Sequence, residues 1–168
     1  MVIQMDGRKV NQTRIRRIVQ RIPVFKGLSP EHLAKLSKVC AVRVYKADQV
    51  VCREEEKSSE LFVILSGYLR ITSAVGVEIA LIKPMGVVGE MGVLTGRPRS
   101  ATVIAAEDTQ VLCISKVQLD RLIQADKDIG LQIYRNFIDM LCDRLRDNNI
   151  FLEQYYLIIE DMMGEPPE

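Results

Sequence analysis

Histidine is almost absent from this chain: one occurs, His32, among 168 residues. Histidine is the usual ligand of catalytic metals and the usual acid–base group at neutral pH. His32 lies at a predicted helix start, after Ser29 and Pro30, where we expect an exposed helix residue. We therefore expect no histidine-based metal enzyme, no catalytic residue and no metal site.

Cysteine is sparse and its spacing forms no motif. The four cysteines contain no C-x-x-C pair and are Cys40, Cys52, Cys113 and Cys142. This spacing argues against a zinc site or a dithiol redox motif. The first residues also lack a secretory pattern, so we expect reduced thiols and a cytoplasmic protein.

Long apolar runs and net charge are lacking too. The apolar runs are only a handful of residues long, such as Leu61 to Leu65, whereas a membrane helix needs about 20. The net charge is +1, which gives no general attraction to nucleic acid or to a membrane. The 48% hydrophobic and 27% charged residues are typical of a soluble globular protein.

Basic residues nevertheless cluster near the start, with only Asp6 among them as an acid. They are Arg8, Lys9, Arg14, Arg16, Arg17 and Arg21. We favour the solvated face of an amphipathic helix over a nucleic-acid-binding arm, and both readings stay open.

The hydrophobic periodicity changes twice along the chain. Helical patterns cover residues 13–22, where Pro23 ends the first helix, and continue from a Ser29 cap with Pro30 in the first turn. Seven or so short β-branched or alternating runs follow without helices between them, which predicts an antiparallel sandwich, barrel or jelly roll. Helical periodicity returns from Ser115.

A long apolar stripe marks the last helix. Its members alternate steps of four and three residues: Tyr134, Ile138, Leu141, Leu145, Asn148, Leu152, Tyr155, Ile159 and Met162. Such a stripe packs either on the β core or against a second helix, and we favour a homodimer seam for its second half. The lone Asn148 is suited to fixing the register of two helices. We expect Gly164 and Pro166–Pro167 to end the helix.

The segment GEMGVLTGRPRSATV, from Gly89 to Val103, carries the chemistry. Its glycines flank a possible helical turn whose free amides favour an anion. Arg99 and Ser100 add donors suited to phosphate, while Glu90 suits a sugar hydroxyl. The pattern alone leaves a surface turn and an anion site equally open.

Across residues 22–149 the chain resembles cyclic nucleotide-binding domains. The residues that carry the resemblance are GEMG at 89–92 and PRSATV at 98–103, which match the phosphate-binding cassette, and ELFVILSGYLRI at 60–71, which matches the central hairpin. Ala47 and Glu55 stand where turn glycines are common in the family, and Val88 stands in place of an aromatic residue. Glu90 and Arg99, in contrast, both match the family's phosphate-binding cassette.

The resemblance implies a jelly roll, or double-stranded β-helix, flanked by N-terminal helices and a long C-terminal helix. We expect an N-terminal basic helical segment at 1–21, a cyclic nucleotide-binding β-roll at 22–127, and a lid or dimerisation helix with a short tail at 128–168. The expected ligand-binding residues are Gly89, Glu90, Met91, Gly92, Arg99, Ser100, Ala101, Arg144, Asn148 and Asn149. Glu90 would bind the ribose 2′-hydroxyl, Arg99 the cyclic phosphate, and the last helix would cover the base.

The function so implied is a non-catalytic sensor of cyclic AMP, with cyclic GMP as second choice and no other cofactor. We expect a homodimer through the last helix and output through a protein effector, with no direct binding of DNA or membrane. The alternative is a dimeric adaptor that keeps the fold without using the ligand. A metal-dependent cupin enzyme would need several histidines inside the β-roll.

Overall fold

A computed structural model describes residues 12–57 and 59–163 of the chain. Within these ranges the chain forms eight strands, all short. They are β1 (Cys40–Tyr45), β2 (Val50–Cys52), β3 (Glu60–Ser66), β4 (Leu69–Thr72), β5 (Glu78–Ile82), β6 (Val87–Val88), β7 (Thr102–Ala105) and β8 (Thr109–Ser115).

Helices precede, interrupt and follow the strands. They are α1 (Gln12–Val19), a 3₁₀ helix (Pro23–Phe25), α2 (Pro30–Ser37), α3 (Glu90–Thr95), α4 (Lys116–Ala125) and α5 (Lys127–Met163). Ser29 caps α2 by accepting a hydrogen bond from the His32 amide at 3.2 Å, as predicted. Arg8, Lys9, Gly164 and Pro166–Pro167 lie outside the described residues.

The strands form two antiparallel four-stranded sheets, in the orders β1-β8-β3-β6 and β2-β7-β4-β5. This is the jelly-roll architecture expected from the sequence, with helices at both ends and a long C-terminal helix. Gly67 turns β3 into β4 with a φ of +79°, and a Cβ there would lie 2.4 Å from Thr109 Oγ1. That position accepts only glycine.

The first sheet is buried on both faces. Leu61 and Val63 of β3 contact the core shared with the helices, whereas Phe62 and Ile64 face the interior of the β-roll. This explains why β3 reads as an uninterrupted apolar run rather than as an alternating strand.

Helices from both ends of the chain share one of these cores. Ile15 and Val19 of α1 belong to the same buried cluster as Ile129 and Phe137 of α5. The division into segments 1–21, 22–127 and 128–168 stays a prediction, and this common core ties all three together.

The junction between α4 and α5 is held by α2. Asp126 accepts a hydrogen bond from Lys35 Nζ at 3.0 Å, and its other oxygen accepts one from the Ile129 amide at 3.4 Å. Lys35 lowers the pKa of Asp126. His32 Nε2 lies 3.5 Å from the same carboxylate and is only partly exposed, so the prediction of an exposed helix residue is wrong.

Further along, α5 is tied to the 3₁₀ helix. The Asn136 side-chain amide donates to the carbonyl oxygens of Val24 and Lys26, at 3.1 and 2.8 Å. Beyond this point the apolar stripe is largely exposed: Leu145, Leu152 and Tyr155 each expose more than half of their surface. No helix among the described residues combines the length and apolar character needed to cross a membrane.

The burial of the cysteines gives a first prediction. Burial raises the pKa of Cys40 and of Cys113 to about 12 and also raises the pKa of Cys52, so these thiols stay protonated at pH 8. The thiolate is the reactive form, and Cys142 is exposed. We expect a colorimetric disulfide reagent at pH 8 to modify one thiol per chain quickly and the others only after unfolding.

Cys142→Ser provides the control, because it should remove the fast phase alone. Two or more fast thiols in the native protein would contradict the burial described above.

Candidate functional site

The segment from Gly89 to Val103 connects β6 of the first sheet to β7 of the second and ends within β7. Gly89 has a φ of +86° and precedes the short helix α3, which starts at Glu90. A Cβ on Gly89 would lie 2.1 Å from Arg99 Nη1 and 2.8 Å from the Glu60 carbonyl oxygen. Glycine is therefore required here both by the backbone conformation and by the close approach of Arg99.

Arg99 is buried, with 6% of its surface exposed. Its Nη2 donates to the Glu60 carbonyl oxygen at 2.8 Å, and its guanidinium carbon lies 5.3 Å from the centre of the Phe62 ring. Its Nη1 is buried and has no hydrogen-bond partner in the described part of the chain. A buried cation with an unused donor is costly, so this group is suited to an anionic ligand.

Glu90 is the second buried charge, with 5% of its surface exposed. Its Oε1 accepts a hydrogen bond from Arg144 Nη1 at 2.6 Å, and Arg144 Nη2 donates to the Val87 carbonyl oxygen at 2.6 Å. Because Arg144 belongs to α5, this ion pair connects the last helix directly to the cassette. Sequence spacing could not predict a contact between residues 54 positions apart.

These groups line one cleft of about 550 Å³, a size typical of small-ligand sites. Its walls are mostly apolar, and its polar or charged side chains are Glu90, Arg99, Ser100, Arg144, Asp147 and Asn148. Charged groups of both signs and a hydroxyl thus line one mostly apolar cavity, which suits a ligand with an anion, a sugar and an apolar ring.

The predicted site residues lie together with one exception. The lining includes Gly89, Glu90, Met91, Gly92, Arg99, Ser100, Ala101, Arg144 and Asn148. Asn149 is exposed and is not part of this lining, so its contact with a base stays a prediction.

Sequence reasoning missed Asp147, which lines the cleft beside Asn148. Helical spacing contained the signal: residues three and four positions after Arg144 share its face, whereas Asn149, five positions after it, does not. Leu141 and Leu145 also line the cleft. The middle of the stripe, at Leu141, Leu145 and Asn148, therefore lines the cavity, whereas its members from Leu152 onward do not.

The residues that replace family glycines are accommodated in two ways. Glu55 adopts a φ of +63°, so a glutamate takes the left-handed conformation expected at that turn. In the other turn the left-handed residue is Asp48, at +61°, rather than Ala47. Within residues 12–57 and 59–163, no group of three His, Cys, Asp or Glu side chains could hold a metal ion.

Comparison with known proteins agrees with this arrangement. The sequence profile of the cyclic nucleotide-binding domain matches residues 42–126. A cyclic nucleotide-gated potassium channel of Mesorhizobium japonicum is 29% identical over 118 residues, which are 70% of this chain and 32% of the channel. The cyclic AMP receptor protein of Thermus thermophilus is 28% identical over 135 residues, which are 78% of this chain and 61% of that protein.

A solved structure gives the same fold. The cyclic nucleotide-binding domain from Methylobacillus flagellatus superimposes with a TM-score of 0.71 at 24% identity, covering 93% of this chain and 86% of that one. This chain spans about a third of the channel's length and less than two thirds of the receptor protein's length.

The contact between Arg144 and Glu90 gives a second prediction. Arg144→Met leaves the Glu90 carboxylate buried without its partner and releases α5 from the cassette. Because the Arg144 side chain is 36% exposed, we expect a moderate loss of stability, a fall in Tm of roughly 2–6 °C. We also expect faster hydrogen–deuterium exchange in residues 141–149, measured by mass spectrometry.

Arg146→Met is the matched control on the same helix. Arg146 pairs with Asp143 at 2.7 Å, but both side chains are 72% exposed, so its loss should change the Tm by less than about 1 °C. Equal effects of the two substitutions would show that the Arg144–Glu90 contact does not hold the helix.

Proposed function

Because this chain belongs to the cyclic nucleotide-binding domain family, we propose that it is a non-catalytic sensor of cyclic AMP, with cyclic GMP as second choice. The ligand would bind in the cleft between the cassette and α5, and the signal would leave through α5. The single observation that carries the proposal is Arg99, a buried guanidinium whose Nη1 has no hydrogen-bond partner among the described residues and which lines the same cleft as Glu90.

The cyclic phosphate is assigned to Arg99 and Ser100. A phosphate oxygen would accept the hydrogen bond that Arg99 Nη1 has free, in a charge-assisted contact. The Ser100 hydroxyl, which contacts the Met91 sulfur at 3.7 Å, can turn to the same phosphate. The amides at the start of α3 would add further donors.

The ribose is assigned to Glu90. One oxygen of its carboxylate accepts the hydrogen bond from Arg144, and the other can accept one from the 2′-hydroxyl. A ligand with a hydroxyl and a phosphate close together on one ring would bind both buried charges at once.

The base is assigned to the face of α5 that carries Leu141, Leu145, Asp147 and Asn148. The leucines would cover the ring, and the Asn148 amide can both donate to and accept from the adenine edge. The Asp147 carboxylate can accept hydrogen bonds from the two donors on the guanine edge. Cyclic GMP is therefore kept as the second choice of ligand. Ser100 stands where bacterial cyclic-AMP-binding activators carry serine.

We assign the structural response to ligand binding to α5, and we expect this helix to act within a homodimer. The nucleotide would favour one arrangement of α5 over another, which requires only a difference in affinity between the two. The exposed second half of the stripe would form the seam, and the output would pass to a protein effector in the cytoplasm. A dimeric adaptor that does not use the ligand is the alternative.

A third prediction tests the ligand. Isothermal titration with cyclic AMP and cyclic GMP, side by side, should give saturable binding with the lower Kd for cyclic AMP. Arg99→Leu should weaken binding at least roughly a hundredfold, because a buried charged contact to phosphate is lost. The circular dichroism spectrum should stay unchanged.

Arg97→Leu serves as the control, because this exposed arginine of the same loop does not line the cleft. It should bind like the unaltered protein. No heat with either nucleotide at high micromolar concentration would rule out the sensor and leave the adaptor.

A fourth prediction tests the dimer. Leu152 lies on the predicted seam and exposes 51% of its surface, whereas Ile150 lies off the seam and exposes 54%. In sedimentation velocity, Leu152→Glu should shift the protein from dimer to monomer, because it places charges in the seam. Ile150→Glu should leave the dimer intact.

A monomer for the unaltered protein at about 100 μM, with and without nucleotide, would overturn the dimer. Equal dissociation by both substitutions would mean that the helices meet along another face.

A further inference from the structure

The guanidinium of Arg99 is held by protein groups on several sides. The Glu60 carbonyl oxygen accepts from Nη2 at 2.8 Å, and the Phe62 ring lies 5.3 Å from the guanidinium carbon. The backbone of Gly89 approaches Nη1 so closely that a Cβ there would be 2.1 Å away. The Phe62 side chain, itself 2% exposed, holds the cation from inside the β-roll.

The backbone of Arg99 is also held, by the loop between β2 and β3. The Arg99 amide donates to the Glu56 carbonyl oxygen at 2.9 Å, and the Glu55 amide donates to the Arg99 carbonyl oxygen at 3.0 Å. Both ends of this arginine are therefore held from the same side: the backbone by Glu55 and Glu56, and the guanidinium by Glu60 and Phe62.

Glu60 at the start of β3 is connected to β1 by a bidentate ion pair. Arg43 Nη1 and Nη2 donate to the two carboxylate oxygens of Glu60, at 2.6 and 2.5 Å, and Glu60 raises the pKa of Arg43. Glu60 thus binds Arg43 with its side chain and Arg99 with its backbone carbonyl. Such a bidentate contact fixes the relative orientation of the two side chains as well as their distance.

We infer that Phe62 and the Arg43–Glu60 pair are positioning residues for the anion-binding arginine. Phe62 supplies a ring face that attracts the guanidinium where water is excluded. The ion pair holds the strand end whose carbonyl oxygen orients Nη2. Together they hold the Arg99 guanidinium in one place in the cleft lining before a ligand arrives, so less side-chain freedom is lost on binding.

This inference rests on the proposed function only in taking phosphate as the anion. The mobility of the Arg99 side chain in the ligand-free protein can be measured without any nucleotide. A failure of nucleotide binding can therefore be told apart from a failure of the positioning.

The first arm of the test is Phe62→Leu, which keeps an apolar side chain but removes the ring face. We expect a Kd for cyclic AMP higher by roughly 3- to 30-fold. We also expect weaker discrimination between the two phosphorothioate diastereomers of cyclic AMP, in which sulfur replaces one or the other exocyclic oxygen. A fixed guanidinium distinguishes these oxygens, and a mobile one adapts to both.

Phe25→Leu is the matched control, because Phe25 is 1% exposed in the other core and does not contact Arg99. It makes the same chemical change at a similar depth and should leave the diastereomer ratio unchanged. A general loss of packing would act equally in both variants.

The second arm is Glu60→Gln, which keeps the backbone carbonyl but breaks the ion pair with Arg43. We expect a several-fold higher Kd and a smaller diastereomer ratio. Lys46→Met, which breaks the exposed Lys46–Asp108 pair elsewhere on the same sheet, should change neither.

NMR relaxation of the Arg99 guanidinium nitrogens in the ligand-free protein tests the positioning of this side chain even if neither nucleotide binds. We expect a rigid guanidinium in the unaltered protein, a mobile one in Phe62→Leu and Glu60→Gln, and a rigid one in the two controls. An Arg99 side chain that is equally rigid in all of them, or mobile in the unaltered protein, would overturn the inference.

Discussion

The burial of two opposite charges in one cleft of a small β-roll is the constraint on which the rest of this structure depends. Glu90 and Arg99 are both almost fully buried. An unpaired charge in such a place destabilises a fold by several kcal/mol, on the order of the loss on breaking a buried ion pair. Each charge therefore has dedicated partners: a carbonyl oxygen and an aromatic ring for Arg99, and an arginine from another element for Glu90.

The partner of Glu90 extends this constraint to the last helix. The helix is held at its start by Asp126 and Lys35, further along by Asn136, and at the cleft by Arg144. Only the third attachment involves the cassette. Between Arg144 and Met163, no hydrogen bond or ion pair joins α5 to the described residues of the β-roll, and the helix exposes apolar side chains there, such as Leu152 and Tyr155.

Much of the fold followed from local signals in the sequence. The Ser29 cap, the turn glycine Gly67 and the apolar run of β3 correspond to local chemistry, and local chemistry can be read from neighbouring residues. The resemblance to the phosphate-binding cassette also assigned Glu90 and Arg99 to one site, and both line the same cleft. The contacts that support them could not be read in this way, because Arg43 with Glu60 and Arg144 with Glu90 meet only through the sheet topology and helix packing.

The wrong expectation for His32 has a similar origin. His32 looked like an exposed helix residue because its partner, Asp126, is distant in sequence. Asp147 differs, because it lines the cleft three positions after Arg144 on the same helix, so helical spacing identifies it once Arg144 is placed there.

In the proposed sensor, Glu90 would link a bound ligand to the position of α5. Its carboxylate accepts a hydrogen bond from Arg144, so a ligand that bound this carboxylate would share it with the helix. By thermodynamic linkage, a ligand that binds more tightly when Arg144 is in place must hold the helix more tightly by the same free energy. If the proposed ligand binds in this way, one buried carboxylate would be sufficient to couple the cleft to α5, without a longer chain of contacts.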